Sequence, residues 1–113
     1  MKAFRPLGLS NAVVANTTAP AGIQVQVSSQ YEGQSADTYR ITNTSAVDVY
    51  LGYGSTAAEA TANSVGATAG APTKSIWLLP ATTEIFQFSP ETYFSGKAAS
   101  LANVQVTPGT GGI

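Results

Sequence analysis

The sequence contains no cysteine and no histidine, and it has few charged residues. Such a chain has no imidazole for acid–base chemistry at neutral pH, no thiol nucleophile, no disulfide and no Cys/His metal site. Charged residues occupy 10% of the 113 positions, where soluble domains usually carry about 25%. The net charge of −1 argues against nucleic-acid binding, which needs a basic patch. We therefore expect one small domain that is not an enzyme and uses no cofactor and no metal.

Long apolar runs are also missing. The apolar run nearest the start, Ala12–Ala15, is too short for the core of a signal peptide. No stretch approaches the roughly 20 apolar residues that cross a bilayer. We expect a chain made in the cytoplasm that has no membrane contact.

The dominant pattern that is present is period-two alternation between turn residues, which predicts short, half-buried β-strands. The strands are predicted near residues 23–28, 39–42, 47–53, 76–79, 83–88 and 102–106. Their number and spacing predict an all-β fold, a small antiparallel β-sandwich or jelly-roll-like barrel of about 6–8 short strands.

Four of these strands carry a finer expectation. The two predicted strands within 39–53 are separated by a turn at Asn43-Thr44-Ser45 and are predicted to form a hairpin. The run Ile76–Leu79 is apolar throughout and is predicted to be buried on both faces. The last strand is predicted to end at Pro108-Gly109.

Two segments do not resemble core. Residues 1–10 are predicted to form an extended arm ahead of a single β domain at 11–113; the arm either frays or lies across a neighbouring subunit, with Phe4 and Leu7 as anchors. Residues 55–73 form an Ala/Thr/Gly-rich loop, longer than the about 12–15 residues beyond which loops are functional or mobile. Within it, Thr56 and Glu59 have the spacing of a capping box and predict a turn or two of helix.

The apparent catalytic and nucleotide motifs have simpler interpretations. Gly52-Tyr53-Gly54 lacks the third glycine of a dinucleotide fingerprint, and a strand end with a bulge or a positive φ is predicted there. The carboxylates are scattered, without calcium-loop spacing. No Gly-x-Ser-x-Gly element is present.

The aromatic residues have two interpretations. Tyr50 is opposite in parity to Val49 and Leu51, so its ring points outward if those two are buried. Exposed aromatic side chains are common at protein interfaces, and Trp77 with the tyrosines could also form a sugar-stacking platform. Core or subunit-contact use is the favoured interpretation.

The chain resembles a group of small structural proteins of tailed bacteriophages, because three of its sequence blocks occur in the order found in that group. They are YRITNTSAVDVYLGYG at 39–54, LLPATTEIF at 78–86 and VQVTPGTGG at 104–112. The resemblance spans roughly residues 37–112, about two-thirds of the chain. Ser45 and Thr82 stand where glycine is common in that group.

The resemblance implies a virion component, a capsid cement or decoration protein that binds the outside of the assembled phage head through the major capsid protein. Such proteins are β-rich and often trimeric, so a homotrimer on the capsid exterior is expected. Phe4, Leu7, Tyr50, Trp77 and the 55–73 loop are the expected capsid or intersubunit contacts. The alternatives are a tail-associated or host-attachment module that binds a glycan, and a bacterial carbohydrate-binding β-sandwich.

Overall fold

The computed structural model describes residues 3–7, 9–25, 37–88 and 92–112. About half of these residues lie in strands, so the expectation of a mostly β protein is confirmed. The elements are β1 (Arg5–Pro6), β2 (Asn11–Asn16), β3 (Ile23–Gln24), β4 (Thr38–Asn43), β5 (Val49–Gly54), α1 (Ala57–Asn63), β6 (Ser75–Leu78), β7 (Thr83–Gln87), β8 (Tyr93–Ala98) and β9 (Ala102–Thr110). The predicted strand at 23–28 is described only as far as residue 25.

The strands form one sheet that curls into a half-barrel. Its main path runs β6-β5-β8-β2-β9-β4-β7, with β1 paired to β9 and β3 paired to β8. The antiparallel expectation is wrong at one place, because β2 and β8 are parallel. The reason is topological: β8 and β9 run in opposite directions, and β2 lies between them, so it must be parallel to one of the two.

The hydrophobic core lies inside the curl. Alternate residues of each long strand point inward, and they include the fully buried Ile41, Leu51 and Val104. The rings of Tyr39, Phe88 and Phe94 meet edge to face, with centroids 5.3–5.8 Å apart. This is the geometry that aromatic quadrupoles favour, and it fills the middle of the half-barrel.

The predicted hairpin at 39–53 is wrong. β4 pairs with β7 and β9, whereas β5 pairs with β6 and β8. The chain crosses between these two groups of strands immediately after Asn43, whose buried side-chain amide donates hydrogen bonds to the carbonyls of Val47, Leu78 and Leu79. The side chain thus fixes a wide turn rather than the tight turn of a hairpin.

Two further strand expectations are corrected. β6 is the edge strand of the sheet, so its apolar run is not buried on both faces, and Trp77 is 58% exposed. β9 continues past Pro108-Gly109 to Thr110, because β1 pairs with this extension. The backbone N–H of Leu7 donates to the carbonyl of Pro108 at 2.9 Å, and the described part of the N-terminal arm therefore lies on its own domain.

The predicted helix is confirmed as α1. Thr56 is its N-cap, and the Thr56 hydroxyl accepts a hydrogen bond of 3.1 Å from the backbone N–H of Glu59. This contact satisfies one of the backbone donors that a helix start leaves free. Among the described residues, no helix is long and apolar enough to cross a membrane.

Candidate functional site

Helix α1 lies on the outer face of the sheet because two glycines leave room for it. A Cβ atom on Gly52 would lie 2.5 Å from the carbonyl of Ala60 and 2.4 Å from the amide nitrogen of Ser64, and one on Gly54 would meet the side chain of Glu59. Neither glycine is among the residues with positive φ. The pairing of β5 with β8 is also continuous through both glycines, so the predicted bulge or positive φ is wrong, and close packing of α1 is what requires glycine here.

Beyond the helix, three side chains form a row across the outer face. Strand register places Trp77 of β6 opposite Tyr50 of β5, and Tyr50 opposite Lys97 of β8. Val49 and Leu51 are fully buried, so the predicted outward direction of Tyr50 is confirmed. The rings of Tyr50 and Trp77 are nearly parallel, at 22°, with centroids 6.2 Å apart.

Asp48 is attached to this row by a hydrogen bond. The indole Nε1–H of Trp77 donates to Oδ2 of Asp48 at 2.9 Å. Both side chains are exposed, so the bond contributes little net stability. It holds the carboxylate near Tyr50, since the two residues are two apart on the chain and two-residue spacing along a strand returns to the same face.

A groove of ≈ 510 Å³ opens between Tyr50 and Lys97. Its lining is mostly apolar, with Asp48 and Lys97 as the charged members. The complete lining is Val47, Asp48, Tyr50, Val65, Gly66, Lys97, Ala98 and Ala99. The volume is in the range of small-ligand sites, which are about 300–1,000 Å³ and combine apolar walls with a few polar groups.

The 55–73 segment supplies one wall of this groove. After α1 ends, Val65 and Gly66 pass over the sheet beside Tyr50. A Cβ on Gly66 would lie 3.0 Å from Cε1 of the Tyr50 ring, so the backbone lies directly against the aromatic side chain. The ring thus has Gly66 and Trp77 as neighbours, which limit its rotation.

Charged contacts also hold α1 in place. The ammonium of Lys74 lies 3.0 Å from Oε1 of Glu59. Hydrogen bonds from Lys74 and Ser55 hold the pKa of the Glu59 carboxyl below its usual range. Lys74 is exposed and Glu59 is half-buried, and neither lines the groove, so this pair supports α1 rather than the groove.

The structure brings together only two of the four contact residues expected from the sequence. Tyr50 and Trp77 are neighbours, whereas Leu7 is 2% exposed and buried in its own domain. Phe4 is half-buried and its ring lies close to Gly109. Phe4 also lines a shallow depression of ≈ 600 Å³ that includes Arg40 and Glu84.

Several exposed side chains were not predicted from the sequence. Leu79 is 50% exposed and Leu101 is 66% exposed, and both follow strands that end at the same side of the sheet. Asp48 could have been predicted, because it lies two residues before Tyr50 and residues two apart on a strand share a face. Lys97 could not, because it reaches Tyr50 only through the pairing of β5 with β8.

The charged side chains that the structure describes do not form a cluster of the kind that binds metal. Among the described residues there is no group of three or more His, Cys, Asp or Glu placed to hold a metal ion. Comparison of the chain with protein-family models, with curated proteins and with solved structures found no match.

Proposed function

We propose that this chain is a structural virion protein, a capsid cement or decoration protein that binds the outside of an assembled phage head. The observation that carries the proposal is that three large apolar side chains are exposed at one end of the sheet. This apolar end consists of Trp77, Leu79 and Leu101, which are 58%, 50% and 66% exposed. The order of sequence blocks across residues 37–112 supports the choice of a phage head as partner.

Strand register shows why these side chains share one end. Leu78, Val49 and Ala98 lie side by side on β6, β5 and β8, so the residues that follow Leu78 and Ala98 leave the sheet together. Large apolar side chains exposed at one end of a domain are candidates for contact with another protein. The partner surface on this proposal belongs to the major capsid protein.

The proposed mechanism is linkage between binding and capsid stability. A protein that binds the assembled shell better than free subunits stabilises the shell by mass action. Many copies on one shell make the total effect large even when each contact is weak. A homotrimer on the capsid exterior, and closure of the curled sheet into a jelly-roll-like barrel or sandwich, are parts of the same proposal.

The test is cosedimentation of the purified chain with expanded empty heads that lack it. We expect wild-type chain in the head pellet, and we expect at least a tenfold loss of affinity for the double variant Leu79→Ser/Leu101→Ser. Leu9→Ser is the matched control, because Leu9 is 64% exposed but precedes β2 beside the other end of β9. Wild-type chain that stays in the supernatant would refute the proposal.

A second candidate function is a tail-associated or host-attachment module. The groove beside Tyr50 favours it, because a surface groove with an aromatic wall suits a ligand on the host rather than a flat shell. Binding of the chain to purified tails, with none to heads, would select this candidate.

A further inference from the structure

We propose that the groove beside Tyr50 is a carbohydrate site that binds a neutral hexopyranose unit of a glycan. The site would supply the ligand binding that a host-attachment module requires, but it does not depend on where the chain sits in a virion. It uses the side of Tyr50 that faces Lys97, whereas Trp77, the one residue shared with the apolar end, lies on the other side of the ring. Failure of either proposal therefore leaves the other standing.

The first argument is a supported aromatic wall. Trp77 lies beside the Tyr50 ring at a centroid distance of 6.2 Å, and Gly66 approaches its hydroxyl end. A ring confined in this way loses little freedom when a ligand packs against it, and less lost freedom means less opposition to binding. Pyranose rings have an apolar C–H face that packs on aromatic side chains, which combine apolar area with a polar tip.

The second argument is the pair of polar groups at the groove. One carboxylate oxygen of Asp48 accepts the indole hydrogen bond, and an ionised carboxylate has about four acceptor sites, so it can still accept hydrogen bonds from sugar hydroxyls. Lys97 is exposed, and within the described part of the chain no ion pair engages it. Its ammonium can donate to the hydroxyl and ring oxygens of the same sugar.

The third argument selects a neutral ligand. The groove has one negative and one positive group, so an ionised sugar would gain one favourable charge contact and face one unfavourable contact. A neutral polyol can use both groups, because each hydroxyl both donates and accepts. An apolar peptide side chain would instead cover Asp48 and Lys97 without pairing them, and unpaired buried charge is costly.

The experiment titrates the full chain with the methyl glycosides of glucose, galactose, mannose and N-acetylglucosamine. Trp77 is the only tryptophan in the chain, so its fluorescence reports on the wall of the groove, and amide shifts of Gly66 and Ala98 locate the ligand. We expect saturable binding of at least one of these sugars. We expect weaker or no binding of the corresponding uronic acids and of sialic acid.

Variants then assign the contacts. Tyr50→Ala should weaken binding about tenfold or more, whereas Tyr50→Phe should retain it because the ring face remains. Asp48→Ala and Lys97→Ala should each weaken binding severalfold, and both residues are exposed, so these variants keep the test decisive if Tyr50→Ala fails to fold. Lys74→Ala is the matched control for Lys97→Ala and should bind like the wild type.

Several results would overturn the site. One is that no neutral sugar, up to tens of millimolar, causes a saturable change in the Trp77 fluorescence or in the amide shifts. Others are unchanged affinity in folded Tyr50→Ala, a preference for the acidic sugars, or shifts that map to the depression beside Phe4 instead of the groove.

Discussion

The side-chain amide of Asn43 donates a 3.2 Å hydrogen bond to the carbonyl of Leu78, joining the end of β4 to the end of β6. These strands lie far apart along the path of the sheet. The same amide reaches the carbonyls of Val47 and Leu79, and its Oδ1 accepts from the backbone N–H of Ser45. One buried polar group thus fixes the turn that sets the outer face of β5, and with it the groove.

Asn43→Asp should therefore destabilise the fold strongly. The substitution replaces the donor with a carboxylate that faces three carbonyl oxygens in a buried position, and buried groups left without partners cost about 1–3 kcal/mol, more when charged. We expect the free energy of unfolding in urea to fall by about 3 kcal/mol. Asn103→Asp, on the exposed side of β9, is the control and should change it by less than about 0.5 kcal/mol. Equal effects of the two substitutions would contradict the role of Asn43.

The packing of α1 gives a second prediction. Gly52→Ala should cost about 1–3 kcal/mol, as overpacking of rigid sites does, because the added methyl meets the backbone of α1 and of Ser64. Gly66→Ala is the comparison, since the atoms nearest to its methyl belong to the Tyr50 side chain, the first at 3.0 Å, and not to backbone. We expect a smaller loss there, measured by thermal unfolding followed with circular dichroism. If Gly52→Ala were as stable as the wild type, α1 could not lie where the structure places it.

The alternation of side chains revealed the strands but not their partners. Period two shows which residues share a face, and it correctly placed Tyr50 outside. It contains no information on which strand pairs with which, and the hairpin expected at 39–53 failed for that reason. The path of the chain after β4 depends on the side-chain hydrogen bonds of Asn43, which a pattern of apolar and polar residues does not show.

The residues of the candidate site were also only partly predictable from the sequence pattern. The apolar run at 76–79 looked buried because composition does not distinguish an edge strand from a central one, and Trp77 proved to be exposed. Leu7 looked free because a two-residue strand that contains proline leaves no recognisable pattern, yet β1 pairs with β9 and buries it. The meeting of Lys97 with Tyr50 depends on long-range register and could not be predicted.

Tyr39 gives a prediction for alkaline pH. Burial, together with the nearby Asp37 carboxylate, raises the pKa of Tyr39 from 10.0 to about 12. Between these values the unfolded chain loses the phenol proton while the folded chain keeps it, so stability falls as pH rises, approaching about 1.4 kcal/mol per pH unit. Well below pH 10.0 the phenol is protonated in both states, so it contributes no pH dependence to the free energy of unfolding.

This prediction is tested by measuring the urea concentration at the midpoint of unfolding across the pH interval between the two pKa values. Tyr39→Phe should have a shallower decline than the wild type, whatever its stability at neutral pH. Ile41→Val is the control, because it alters the same buried strand without removing a titratable group, and it should keep the wild-type slope. An unchanged slope in Tyr39→Phe would assign the alkaline decline to other groups.

The low charge content makes a prediction about head binding. Only 10% of the chain is charged, and the apolar end that we propose to contact the shell consists of Trp77, Leu79 and Leu101. Attraction between exposed charges is screened over about 10 Å at 0.1 M salt, whereas burial of apolar surface is not weakened by such screening. Affinity for expanded heads should therefore change less than about threefold from low to moderate ionic strength, a range over which a salt-sensitive interface would lose much more.

Cosedimentation across a salt series measures this affinity, with the head protein alone as the control for shell integrity. Release of the chain at moderate salt would show that charged residues, not the apolar end, hold it to the shell.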